Sequence, residues 1–207
     1  MMPPKDPTPA AAPDLFRVRF ETSKGPFVVE TRRAWSPRGA DRFYQLAKSG
    51  YYDNSRFFRV IPGFVAQWGA NGDPEVNAAW DKLFVQDDSV AHGNKRGTIV
   101  FATSGPNTRA AQLFINLVDN TQLDGMGFSA FGEVVEGMAV VDSLYSGYGE
   151  GPPGGFGPNQ GEIMQRGNAY LERDFPKLDF IRTARVLESI VPPGMVTPPA
   201  AVDSTKK

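Results

Sequence analysis

Short runs of strand-forming residues, each broken within a few positions by glycine, proline, asparagine or aspartate, recur along most of this chain. Strands that short bury an apolar face only by sharing a core, so the pattern points to an antiparallel barrel or sandwich. Phe16-Arg17-Val18-Arg19-Phe20-Glu21 alternates with period two, Ser23-Lys24-Gly25 offers a turn, and Phe27-Val28-Val29-Glu30 follows, which reads as a hairpin. Further strands are expected over 56–61, 65–68, 98–102, 112–116, 131–135 and, after a long glycine-rich stretch, 179–187. Two helices interrupt the pattern. Ser36-Pro37 reads as N-cap and first helical residue, with Ala40, Phe43, Tyr44 and Ala47 at helical spacing and Gly50 as the stop. The second covers 137–145, where Met138, Val141, Leu144 and Tyr145 repeat with helical spacing.

Composition narrows the function classes. A length of 207 residues suits one well-buried domain. With 22 Lys and Arg against 23 Asp and Glu, there is no global footprint for nucleic acid or an acidic membrane surface, so any partner is expected to meet a local site. The absence of cysteine removes disulfides, thiolate nucleophiles and cysteine-ligated metals together. No segment approaches the roughly 20 apolar residues that span a bilayer, and the start lacks the basic-then-apolar order of a signal peptide. A cytoplasmic location is therefore expected if the chain is full length, and a periplasmic or exported one if it is a trimmed mature form. Residues 1–13 and 189–207, rich in Pro, Ala and Thr, have too little apolar surface to repay ordering; disordered tails are expected around a domain over 14–188.

The run Phe57-Phe58-Arg59-Val60-Ile61-Pro62-Gly63-Phe64-Val65-Ala66-Gln67-Trp68-Gly69 sets one permanent charge and one amide among clustered apolar side chains. A charge in such surroundings needs a partner. Farther on come Phe101-Ala102-Thr103-Ser104-Gly105-Pro106-Asn107-Thr108, Ala111-Gln112-Leu113-Phe114-Ile115-Asn116, Leu123-Asp124-Gly125 and Phe131-Gly132-Glu133-Val134. In this order the segments resemble a cyclophilin, a peptidyl-prolyl cis/trans isomerase, over about residues 15–187. The stretch from Gly147 to Gly167, followed by Asn168-Ala169-Tyr170-Leu171, is similar to an extension in a bacterial branch of that family. The resemblance implies a mainly β fold, a closed eight-stranded antiparallel barrel capped by two α-helices, and an enzyme that needs no cofactor or metal. Its implied partners are proline-containing polypeptides, unfolded or flexible, with no nucleic acid, no membrane and a monomeric chain.

On composition alone Arg59 reads as an exposed strand arginine in a surface ion pair. The resemblance implies instead that it is the catalytic arginine, with Gln67 as its companion. Prolyl rotation passes through a twisted amide in which resonance is lost and the nitrogen gains a lone pair; a fixed charged donor beside it lowers the barrier. Phe64, Val65, Phe114, Leu123 and Phe128 read as core by themselves, whereas the resemblance places them around the proline pocket, Val65 standing for a common methionine and Phe128 for a histidine. Simple alternation cannot aim Phe64, Val65 and Gln67 to one side, so the Pro62-Gly63 turn or a bulge has to re-aim them. Gln67 and Gln112 match amides that bind substrate backbone or the arginine. Ala102 and Thr103 match the edge that pairs with substrate main chain. Gln122 stands where many relatives carry tryptophan, which implies weak cyclosporin binding.

Other signals are set aside. Gly149-Glu150-Gly151-Pro152-Pro153-Gly154 fits a phosphate-loop pattern literally, but its prolines remove the amides such a loop uses. His92 is a lone histidine, and Asp87-Asp88 reads as an acidic solvated loop. Two rival functions remain open: a proline-peptide binding or chaperone module that turns over poorly, and an interaction domain working through the glycine-rich loop.

Overall fold

The computed structural model describes residues 1–6 and 8–187; the expected tail at 189–207 lies outside them. The hairpin of β1 (Leu15–Thr22) and β2 (Gly25–Arg32) pairs Leu15 with Arg32 through Thr22 with Gly25. Its alternation does what period two requires: Phe16, Val18 and Phe20 are buried while the residues between them are half-exposed. After α1 (Pro37–Lys48) come β3 (Arg59–Val60), β4 (Val65–Trp68), α2 (Pro74–Trp80), β5 (Thr98–Phe101), β6 (Leu113–Asn116), β7 (Ala130–Glu136), α3 (Met138–Asp142), α4 (Gln160–Asp174) and β8 (Ile181–Val186). All pairings are antiparallel, and the order across the sheet is β3-β4-β6-β5-β7-β2-β1-β8.

The expected closed barrel is corrected to an open, curled sheet. β3 and β8 are its edges, and no ladder joins them. The chain just before β3 meets the chain just before β8 through an isolated bridge of Arg56 with Phe180 and a few backbone bonds, such as Phe57 N–H to Asp179 O at 3.0 Å. The two expected helices are α1 and a shorter α3; the described residues hold two more, α2 and α4.

Inside the curl lies the main core, in which Phe20 stacks on Phe27 at 4.7 Å and meets Trp68 edge-on at 5.8 Å, while α1 contributes Phe43 against Phe131 at 5.0 Å. A second apolar cluster joins α4 to the strand region: Ile163, Tyr170 and Leu171 pack with Phe58, Ala70 and Leu178. α4 bends at Gly167, whose φ of 55° suits glycine and whose Cβ, were there one, would stand 2.1 Å from the Gly72 carbonyl oxygen. The next amide, Asn168 N–H, donates to that same oxygen at 2.9 Å, which fastens α4 to the chain before α2.

The start of α1 differs from the sequence reading. Ser36 does not cap the helix; its hydroxyl donates to Asp88 Oδ2 at 2.5 Å. Asp88 takes the capping role from 50 residues away, accepting the Arg38 and Gly39 amides at 3.3 and 3.0 Å. It is buried, not solvated, and pairs with the equally buried Arg109 at 3.3 Å. The residues expected as a free N-terminal tail make contacts of their own: Ala12 N–H donates to Asp41 at 2.8 Å and the Trp80 indole N–H to the Met1 carbonyl at 2.7 Å.

Burial acts to raise the Asp88 carboxyl, but hydrogen bonds from Ser36 and the Gly39 amide, with the Arg109 charge, outweigh it and hold the group below its ordinary 3.8. Its stabilisation is therefore complete at neutral pH and drains away as acid carries the solution down through the lowered folded value. Asp88→Ala removes the cap of α1 and one of the two carboxylates that face buried Arg109, the other being Asp87 at 3.1 Å, a combined loss of about 3 kcal/mol. In thermal unfolding at pH 7 the variant should melt on the order of 10 °C below the wild type, and the gap should narrow as both are acidified below the carboxyl range. An unchanged Tm would show that Asp88 does not anchor α1.

Candidate active site

Residues directly opposite in an antiparallel ladder share a face. Arg59 in β3 pairs with Gln67 in β4, Gln67 with Phe114 in β6, and Phe114 with Val100 in β5. One row across four strands thus carries a guanidinium, an amide and two apolar side chains on the outer face of the sheet, opposite the core residues Ala66, Trp68, Leu113 and Ile115. Val65, two positions before Gln67, shares that face. Phe64 is brought there by the turn and not by the strand: Gly63 has φ 73°, and Phe64 N–H donates to Ile61 O at 3.0 Å.

Val65, Val100, Phe114, Leu123 and Ala130 form an apolar cluster separate from the core, with Phe64, Ala102 and Phe128 packed against it. The reading of these side chains as core is corrected by their position. Phe128 meets Phe114 edge-on at 5.7 Å. The cluster floors an open cleft of ≈ 570 Å³ that is also lined by Arg59, Gln67, Thr103 and Gln112 and runs past Gly69 and Ala111 to Tyr51, Asp81 and Phe84.

The polar side of the cleft is a connected chain. Arg59 Nη1 donates to Gln67 Oε1 at 3.0 Å, and Gln67 Nε2 donates to Gln112 Oε1 at 3.0 Å. The Arg59 guanidinium carbon lies 5.6 Å from the centre of the Phe64 ring. The Thr103 hydroxyl is engaged by its own loop, sharing a hydrogen bond with Thr108 Oγ1 at 2.8 Å, and Ala102 N–H donates to Gln112 O at 2.9 Å. All but one of the expected site residues line the cleft. The exception is Gln122, which is exposed on the 3-10 turn Thr121–Met126 and contacts Asn120 Oδ1 at 3.4 Å; from that turn it is Leu123 and Met126 that reach the cleft.

The sequence reading missed Glu150. Its carboxylate grips Arg59 with both oxygens, Nε to Oε1 at 2.8 Å and Nη2 to Oε2 at 2.6 Å. The hydrogen bond from Arg59 holds the Glu150 carboxyl below its ordinary value; partial burial opposes this, and the Arg59 charge and the Gly151 amide reinforce it. The only advance signal was general, the need of a charge at position 59 for a partner. Gln160 and Met164 of α4 also line the cleft and also lie in the stretch taken for loop. Among the described residues no cluster of His, Cys, Asp or Glu could hold a metal ion.

Residues 17–155 match the family model for cyclophilin type peptidyl-prolyl cis-trans isomerases. Among similar proteins, the peptidyl-prolyl cis-trans isomerase ppi1 of Schizosaccharomyces pombe is 38% identical over 133 residues, covering 63% of this chain and 85% of its own. Peptidyl-prolyl cis-trans isomerase B of Escherichia coli is 35% identical over 135 residues, covering 61% and 82%. The fold matches the crystal structure of a cyclophilin type isomerase from Cryptosporidium parvum with a TM-score of 0.61 at 22% identity, over 85% of this chain and 99% of that one. A second structure of that protein was determined in the presence of the dipeptide Ala-Pro. This chain belongs to the cyclophilin-type peptidyl-prolyl cis-trans isomerase family.

Proposed function

We propose that the outer-face cleft binds an X-Pro segment with the pyrrolidine ring on Phe64, Val65, Phe114, Leu123 and Phe128, and that Arg59 donates to the prolyl nitrogen as the amide twists. The observation that carries this reading is the Arg59–Gln67–Gln112 hydrogen-bond chain standing directly beside an apolar cluster outside the core. An apolar floor takes the ring, an always-charged donor stands at its edge, and the amides hold that donor in one direction. Rotation breaks no covalent bond, so the centre needs only to favour the twisted state over the two planar ones. Ala102 and Thr103 offer main chain along the cleft for an extended substrate.

Substrates are proline-containing polypeptides that are unfolded or flexible, since spontaneous exchange takes roughly 10 to 100 s and limits their folding. The cleft is complete within one chain, which suits a monomer. Retention of Arg59 in hydrogen-bond reach of Gln67 favours an enzyme over a binding module with the same groove.

Arg59→Ala should lower kcat/KM in a prolyl-peptide assay by about a hundredfold or more, the cost of removing one preorganised transition-state donor. Circular dichroism and Tm should stay near wild type, because the side chain packs outside the core. Arg59→Lys should also be poor, since a point charge lacks the planar fork. Full turnover by a folded Arg59→Ala protein would remove the assignment.

Cyclosporin should inhibit the wild type weakly. Gln122 is exposed beside Leu123 and outside the cleft lining, and an indole there would add flat apolar area worth about 25 cal/mol per Å² covered. Gln122→Trp should therefore tighten inhibition and leave turnover of short peptides nearly unchanged. The same inhibition constant for both proteins would show that position 122 lies beyond the inhibitor's reach.

A further inference from the structure

Of the Arg59 N–H groups, the Nε–H and one Nη2–H go to Glu150 and one Nη1–H goes to Gln67. That leaves one N–H on each terminal nitrogen beyond these three contacts. The carboxylate comes from far along the chain, 91 residues away. It does not plug the cleft, which stays open at ≈ 570 Å³ with Glu150 in its wall.

Glu150 is itself held by a loop folded tightly around it. Its carbonyl accepts Gly157 N–H at 2.8 Å, Gly155 N–H donates to Gly151 O at 3.0 Å, and Gly151 N–H donates to the Glu150 carboxylate at 3.0 Å. A Cβ at Gly155 would lie 2.3 Å from the Glu150 carbonyl oxygen, and one at Gly151 would lie 2.4 Å from Pro158 O. Gly151 and Gly155 are therefore close-approach positions in the loop that carries Glu150.

Resting on the isomerase reading of the cleft, we propose that Glu150 is the positioning residue of the centre. It clamps the Nε/Nη2 edge of Arg59, so that the guanidinium cannot swing and its free N–H groups point at the place where the prolyl nitrogen gains its lone pair. An arginine on a flexible stem spends much of its time misdirected; a two-point carboxylate contact plus Gln67 fixes all three nitrogens. The glycine-rich segment thereby becomes part of the isomerase centre, and its work is done through Arg59 without touching substrate.

The test compares wild type, Arg59→Ala, Glu150→Gln, Gly151→Ala and the double variant Arg59→Ala/Glu150→Gln of the full chain, with kcat and KM measured separately on a proline peptide. Glu150→Gln keeps shape but sets an NH₂ against a guanidinium N–H. It should lower kcat about tenfold or more with KM little changed, as expected when orientation at the transition state is lost. Gly151→Ala keeps the carboxylate but displaces it, and should reproduce the loss. Glu150→Gln should cost nothing further once Arg59 is Ala. In ¹H–¹⁵N spectra the Arg59 Nε–H should be protected from exchange in wild type and exposed in Glu150→Gln, at an unchanged Tm. Wild-type kcat in Glu150→Gln, a raised kcat, or a change confined to KM would each overturn the inference, the second by making Glu150 a latch that withholds Arg59. An inactive wild type, or a fully active Arg59→Ala, would instead overturn the reading of the cleft on which it rests.

Discussion

The register of β4 against its neighbours is the constraint on which the site depends. Gln67 must face Phe114 on one side and Arg59 on the other, because a slip of one residue in any of these ladders turns every side chain of the strand to the opposite face. It would put Trp68 outside and Gln67 in the core. The pairing is held by the inward residues, since Trp68, Leu113 and Ile115 are fully buried and a slipped register would bring them into water. The core thus enforces the geometry of a site that it does not touch.

What could be read from the chain follows the range of the forces involved. The hairpin at β1 and β2 and the limits of α1 were legible because period-two alternation, Pro37 and Gly50 act within a few residues. The need to re-aim Phe64 was legible too, and the Ile61–Phe64 turn supplies it. α2 was announced by Asp73-Pro74, with Asp73 accepting Glu75 N–H at 2.9 Å, but its single short run did not rise above the surrounding loops. α4 was hidden by its glycines: Gly167 breaks the helical spacing, yet it is there to let the chain pass the Gly72 carbonyl. Asp88 as a cap for α1, and Glu150 as the partner of Arg59, join residues 50 and 91 positions apart. For Arg59 chemistry said that a partner was needed, whereas for α1 the local reading offered Ser36 instead; only the fold could name either partner. The same holds for closure of the sheet, since whether its edges pair depends on how far the whole curl turns.

The segment beyond β7 has a continuous physical logic. α4 packs through Ile163, Tyr170 and Leu171 on Phe58, the residue beside Arg59 in sequence. Gly167 and Asn168 fasten it to the chain before α2, and Met164 extends to the cleft. The loop between α3 and α4 is therefore strung between two anchored elements, and a loop so held can present a side chain at a fixed place. The family match ends at residue 155, before α4 begins.

The two apolar clusters that share β4, β5 and β6 have a consequence for how such a protein changes over generations. Each strand gives alternate side chains to the core and to the cleft, so under the proposed reading of the cleft the positions that meet substrate are not those packed in the main core. Phe128, half-buried on the cleft side, can be exchanged for another apolar residue at a lower cost to folding than the fully buried Trp68 or Ile115, where a smaller side chain would open a cavity. Selection for a new sequence around proline can proceed along one face of the sheet, with the other face serving as an unaltered chassis. Arg59 is an exception on the side of geometry and not of folding: it is tied at once to Gln67, Phe64 and Glu150, so no other side chain can take its place without remaking those contacts.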